Sequence, residues 1–359
     1  MKLIVTAGGQ GKKIWPLSRE AKPKQFQAVV GSEPLYKQTI NTLLKGYSAQ
    51  DIFVSTKRRY YDIAISQAPE VLRENFIIEP DVAKDRGPGE GLAFATLADL
   101  HPNEPFIIVQ ADCLRTPEED FLKTLAAAEK IERRDRKFMS GGVKATYPVL
   151  GVDYLKFGQR VSEEDGVEIY KVDEFIPRVE DYNQTRKLIE NFHVGTHSNH
   201  NCWFPELMME AYQKYRPDWF EGINNVYSLM KKGASASEID EAYSELQAGP
   251  TELVTNNLFK EGYAILLPYK WTDIGTWDSV YEFFDTGGAA HTEGNVVISD
   301  TETSLIKCSN PNKIVAVLGV ENLIIVDTED ALLVIPRDKS SKVNDLVKLM
   351  GERKEKKYL

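Results

Sequence analysis

The chain has 359 residues, 42% hydrophobic and 27% charged, the make-up of a globular protein with a core large enough to stand without staples. A net charge of -10 argues against nucleic acid or an anionic membrane as partner, so any anionic substrate must be met by a local basic site. Cys113, Cys202 and Cys308 show no metal-type spacing, MKLIVTAGG is too short an apolar opening for a leader, and no run nears the roughly 18 apolar residues of a membrane span, so a cytoplasmic setting is expected.

KLIVTA (2–7), DIFVST (51–56), NFIIEP (75–80) and PFIIVQAD (105–112) read as buried strands. Helix-spaced apolar residues fill 33–47, 60–74 and 89–100 between them. This alternation predicts an α/β fold, a Rossmann-like doubly wound mixed sheet whose ligands sit at the carboxyl ends of the strands, near residues 8–13 and 111–114. Further on, 167–176 and 263–269 read as strands, and 181–192 and 204–215 as helices. From Gly294 to Arg337 short β-branched runs recur roughly every ten residues, which predicts a short C-terminal β-helix-like unit. A catalytic domain over 1–285 and a β unit over 286–359 follow, the latter ending in an amphipathic helix and a basic, solvated tail.

The first strand runs into Gly8, Gly9 and Gly11, followed by Lys12 and Lys13, with Lys24 eleven residues after Lys13. Glycines let backbone N–H groups approach a polyphosphate, and separated cations suit a leaving pyrophosphate. The spacing is neither a Walker A nor a dinucleotide fingerprint, and alone it reads equally as a tight turn.

AGGQGKKIWPLSREAKPKQF closely resembles the signature of mannose-1-phosphate guanylyltransferases, a branch of the sugar nucleotidyltransferases, with WPLS and PKQF matching in full. IIVQADCL, GGVKATYPVLG, WTDIGTWDSVYE and the C-terminal runs are similar to later family segments, stopping short of the isomerase domain that long members carry. The resemblance implies the nucleotide-diphospho-sugar transferase fold and transfer of a nucleotidyl group from GTP to mannose 1-phosphate. It implies catalytic roles for Lys13, Lys24, Asp112 and Asp273, the two aspartates holding Mg2+. Nucleotide contacts are implied at Ala7, Gly8, Gly9, Gly11, Lys12, Glu79, Asp85 and Pro88. Sugar-phosphate contacts are implied at Gly151, Glu174, Arg178 and Asn201, with Asn199 an alternative to Asn201. A homodimer, joined through the β unit, is the expected assembly.

Several positions depart from the family pattern. Lys13 stands where the family has arginine, keeping the charge but losing the bidentate fork. Asp85 falls where an asparagine is usual, and an ionised carboxylate accepts hydrogen bonds without donating them. Gln110 and Cys113 flank Asp112 in place of proline and histidine, with Cys113 expected to pack and His200 expected to be structural or solvated. These departures leave open transfer to another sugar, use of another base, or a non-catalytic nucleotide-sugar-binding role. Retention of Lys24, Asp112, Asp273 and the glycine loop argues for catalysis.

Overall fold

The computed structural model describes residues 1–9 and 11–359, with the side chains of Lys12 and Lys356 outside the described residues. Strands β1 (Lys2–Thr6), β2 (Ile52–Lys57), β3 (Phe76–Glu79) and β4 (Phe106–Gln110) form at the four apolar runs. They lie in parallel in the order β4-β1-β2-β3. Helices α1 (Leu35–Leu44), α2 (Tyr61–Gln67) and α3 (Arg86–Leu100) make the crossovers. The chain then adds β5 (Cys113–Thr116), α4 (Glu118–Asp135), β6 (Met139–Lys144), β7 (Tyr154–Glu164) and β8 (Val167–Ile176). Next come α5 (Tyr182–Asn191), β9 (Val194–His197), β10 (Cys202–Trp203), α6 (Pro205–Tyr215), α7 (Pro217–Lys231) and α8 (Ala236–Ser244). The short α9 (Glu252–Thr255), β11 (Tyr263–Leu266), β12 (Lys270–Asp273) and α10 (Trp277–Phe284) complete this part.

Ten strands make one mixed sheet, with β10 antiparallel to β4 where the parallel half ends. Side-chain alternation sorts the core by face. Leu3, Val5, Ile52, Val54, Ile107 and Val109 pack toward α1, α2 and α4. Ile4, Phe53, Ile77 and Ile108 pack the other way, toward α3, α6 and α7. Strands buried on both faces read as unbroken apolar runs, which is why these four stand out in the sequence.

The C-terminal strands are β13 (His291–Glu293), β14 (Val296–Ser299), β15 (Leu305–Cys308), β16 (Val315–Leu318), β17 (Leu323–Asp327) and β18 (Leu332–Pro336). Val296 pairs in parallel with Val315 and Leu305 with Ile324, each nineteen residues on. The ten-residue spacing in the sequence is therefore half a coil, alternate strands belonging to two different sheets. Leu305, Ile324, Val326 and Leu333, with Val343 of the terminal helix α11 (Val343–Glu352), pack on Ile14, Trp15, Ile274 and Trp277. The tail departs from the sequence expectation. Trp15 Nε1 donates to the Tyr358 carbonyl at 2.7 Å and Arg19 donates to it too, so the end is docked. Among the described residues no helix is long and apolar enough to cross a membrane.

Candidate active site

The glycine loop leaves the carboxyl end of β1 and is held from behind. Gln25, buried in the turn Lys24–Phe26, donates from Nε2 to the carbonyls of Ala7 at 2.8 Å and Gly9 at 2.9 Å. Phe26 anchors that turn by packing on Tyr36 and Tyr60. Gly11 has φ +58°, and a Cβ there would lie 2.5 Å from Lys24 Cγ, so glycine is required both for backbone and for space. The loop and the Lys24 stem fit together as one piece.

Lys24 Nζ reaches Asp112 Oδ2 at 2.9 Å, Asp273 Oδ1 at 3.3 Å and the Ile274 carbonyl at 2.8 Å. The two aspartates meet because β5 and β12 form an antiparallel ladder in which Asp273 stands opposite Cys113. Burial disfavours the Lys24 ammonium, but the carboxylates outweigh it and hold its pKa above the usual lysine value. At Asp112 burial works upward and Lys24 more than offsets it, leaving that carboxyl below its ordinary pKa. At Asp273 desolvation, opposed by Lys24 and joined by repulsion from Asp112, pushes the carboxyl up. Lys13 is exposed and close enough to favour the Asp273 carboxylate electrostatically.

Ligand atoms of Asp112, Cys113 and Asp273 lie within 4.8 Å of one another. Two convergent carboxylates are a fitting donor set for Mg2+, which takes one or two carboxylates together with phosphate oxygens and water. The Cys113 thiol does not join them: burial first, then the two carboxylates, push it well above its usual pKa and keep it protonated.

A cavity of about 460 Å³ opens from this point along the strand ends. Gly8, Gly9, Glu79, Asp85, Asp112 and Asp273 line it. Glu79 accepts from Ser55 Oγ at 2.9 Å, and burial raises its pKa against the pull of Ser55 and Lys57. Asp85 sits at φ 64° and ψ -173°, a strained region that L-residues rarely adopt, and its Oδ1 accepts from the Arg86 N–H as the N-cap of α3. Ala7 and Pro88 are buried behind the wall, and the Lys12 side chain lies outside the described residues.

The sugar-side residues are not brought to this cavity. Glu174 is exposed on β8 across from Lys156, Arg178 is exposed, and Gly151 turns at φ +72° with its N–H on the Val179 carbonyl. Asn201 is buried, its Oδ1 accepting from Ser140 Oγ at 2.9 Å and its carbonyl accepting from the Ile108 N–H. The alternative, Asn199, does line the cavity, because φ 57° turns the chain there. Sequence reasoning passes over Lys57, Arg86, Ser198 and Trp271, which also line it. The Trp271 indole N–H is buried without a partner among the described residues, and Trp271 adjoins Asp273 in a motif already visible. Gln110 clamps the opposite rim by donating to the carbonyls of Ser198 and Asn199 at 3.1 and 3.0 Å. His200 is structural: it is buried, pairs with Ser198 Oγ at 2.9 Å, and burial and then Arg115 push its pKa well down.

Residues 2–152 match the family model described as Nucleotidyl transferase, and residues 294–350 the one described as MannoseP isomerase/GMP-like beta-helix domain. A mannose-1-phosphate guanylyltransferase of Escherichia coli is 25% identical over 364 residues, spanning 99% of this chain and 77% of that one. The alginate biosynthesis protein AlgA of Pseudomonas putida is 24% identical over 352 residues, spanning 98% and 71%. A solved mannose-1-phosphate geranyltransferase of Thermus thermophilus shares the fold at TM-score 0.85 and 22% identity, over 98% of this chain and 99% of that one. Together these matches make the chain a homologue of mannose-1-phosphate guanylyltransferases, with a nucleotidyl transferase domain followed by a β-helix domain.

Proposed function

We propose that the chain transfers a nucleotidyl group from a nucleoside triphosphate to a sugar 1-phosphate, with GTP and mannose 1-phosphate the favoured pair. The observation that carries this reading is Lys24, seated between Asp112 and Asp273 and packed against the glycine loop at the cavity's edge. A sugar-phosphate oxygen attacks the α-phosphorus, a P–O bond forms, and the bond to the β-phosphate oxygen breaks to release pyrophosphate. No protein nucleophile is required, so the protein contributes position and charge.

The backbone N–H groups of Gly8, Gly9 and Gly11 face the triphosphate, and Lys13 and Lys24 meet the charge on the departing pyrophosphate. Asp112 and Asp273 would hold Mg2+, which would supply Lewis-acid neutralisation of the phosphate oxygens. Glu79 and Asp85 serve the base end. At the acceptor end the cavity offers Asn199 and the face of Trp271, whereas Gly151, Glu174, Arg178 and Asn201 stand back from it. A cytoplasmic homodimer is our reading of its setting, supported by free, buried cysteines and by exposed Val297 and Leu318 on the β unit.

Pyrophosphate release across a panel of nucleoside triphosphates and sugar 1-phosphates tests the reading and names the pair. Asp112→Asn should lower the rate by about 10²–10³-fold with the fold retained. Binding of a nucleotide sugar with no pyrophosphate from any pair would move the chain to the non-catalytic reading.

A further inference from the structure

Away from Asp112 and Asp273, three elements bring a second set of ligand-type side chains together. His197 ends β9, Asp153 immediately precedes β7, and Glu252 opens α9. One ligand atom from each lies within 4.8 Å of the other two.

With the Asn201 Oδ1 turned to Ser140, the hydrogen bonds place the histidine proton on Nε2. His197 Nε2 lies 2.8 Å from Ser140 Oγ, which in turn donates to Asn201 Oδ1 at 2.9 Å. A hydroxyl has one proton to give, so Ser140 accepts from Nε2–H and Nδ1 keeps a bare lone pair. His197 is only 6% exposed, and Nδ1 has no partner among the described residues. Glu252 Oε2 is likewise buried and unpartnered.

A neutral imidazole and two carboxylates thus converge with too little positive charge. Arg86 is shared between Glu252 at 3.0 Å and Glu90 at 3.3 Å, and Asp153 Oδ1 receives only the Arg178 backbone N–H at 2.9 Å. Unpaired buried acceptors are costly, and a dication removes that cost for His197 Nδ1 and Glu252 Oε2 together.

We propose that Asp153, His197 and Glu252 bind one divalent transition metal, Zn2+ by preference, with water completing the shell. One imidazole nitrogen with two carboxylates is a borderline donor set that favours Zn2+ over Mg2+. Tetrahedral Zn2+ with bonds of about 2 Å spaces its ligands about 3.3 Å apart, so modest side-chain closure suffices. The metal clips the loop before β7 to β9 and α9. Glu252 links it to the cavity, one oxygen on the metal and the other on Arg86 in the wall.

The test uses the full chain, stripped with EDTA and given Zn2+ alone, then Co2+ alone. One equivalent of Zn2+ should survive desalting beyond any ion held by Asp112 and Asp273. Zn2+ should raise Tm, and Co2+ should give visible ligand-field absorption. Asp153→Asn and Glu252→Gln, which spare the buried ring, should each weaken retention at least about tenfold. Asp112→Asn should leave it intact. No retained Zn2+ in the wild type, or equal retention in Asp153→Asn, overturns the proposal. The same negative result follows if Asn201 presents its amide N–H₂ to Ser140, which would place the histidine proton on Nδ1.

Discussion

Gly11 and Lys24 show how narrowly the site is set at the level of single residues. Lys24 is fixed at its tip by two carboxylates and a carbonyl, and along its stem by Gly11. Gly11→Ala adds a methyl 2.5 Å from Lys24 Cγ at a backbone angle that costs an L-residue roughly 1–2 kcal/mol. The lysine tip then leaves Asp112 or the loop opens, and either change misplaces charge by about 1 Å. The expected outcome is a rate about 10²-fold lower with Tm reduced by only a few degrees, from steady-state pyrophosphate release and calorimetry. An unchanged rate would show that the Lys24 position is not set by the loop. The same scale explains what the sequence hides at the sugar end. Asn201, the expected contact, and Asn199, its alternative, are two residues apart, and the left-handed turn at Asn199 sends Asn199 to the cavity and Asn201 into the core.

At the level of elements, the legible features are those set by local chemistry. The four Ile- and Val-rich runs become the parallel half of the sheet because burial on both faces demands continuous apolar residues. Asp112 and Asp273 are traceable only through family resemblance, since their meeting depends on the ladder between β5 and β12, elements far apart in the chain. Gln25 escapes notice because its role is neither chemical nor packing. It lends two hydrogen bonds to the carbonyls of the facing loop. Gln25→Ala leaves the Gly9 carbonyl without that bond, while Thr56 Oγ1 still donates to Ala7. A cost of about 1–3 kcal/mol is expected, concentrated in the loop. On the proposed role of that loop in holding the triphosphate, KM for the nucleotide should rise more than kcat falls, and amide exchange near residues 8–11 should quicken. An equal loss in both constants with unaltered exchange would remove Gln25 as a positioning residue.

Across the whole molecule, the β unit and the catalytic half share one core rather than meeting at a polar seam. Leu305, Ile324 and Val326 lie against Ile14, Trp15 and Trp277, and Trp277 Nε1 donates to the Trp15 carbonyl at 2.8 Å. Arg337 adds a link from the β unit to Asp278 at 2.8 Å, and the docked Tyr358 carbonyl takes Trp15 and Arg19. The ten-residue rhythm announces coils but not this attachment, because Trp15 and Trp277 read locally as parts of the signature segments. Interfaces between domains that move independently are more polar than this one. The chain should therefore unfold in a single calorimetric transition that carries activity with it. Ile324→Ala, a fully buried truncation within the β unit, removes about 2–5 kcal/mol and should lower that one transition without splitting it. Inactivation temperature should fall in step, although Ile324 does not line the substrate cavity. If the variant instead melts in two steps and stays active above the first, the β unit is a separable appendage and the WPLS segment stands without it.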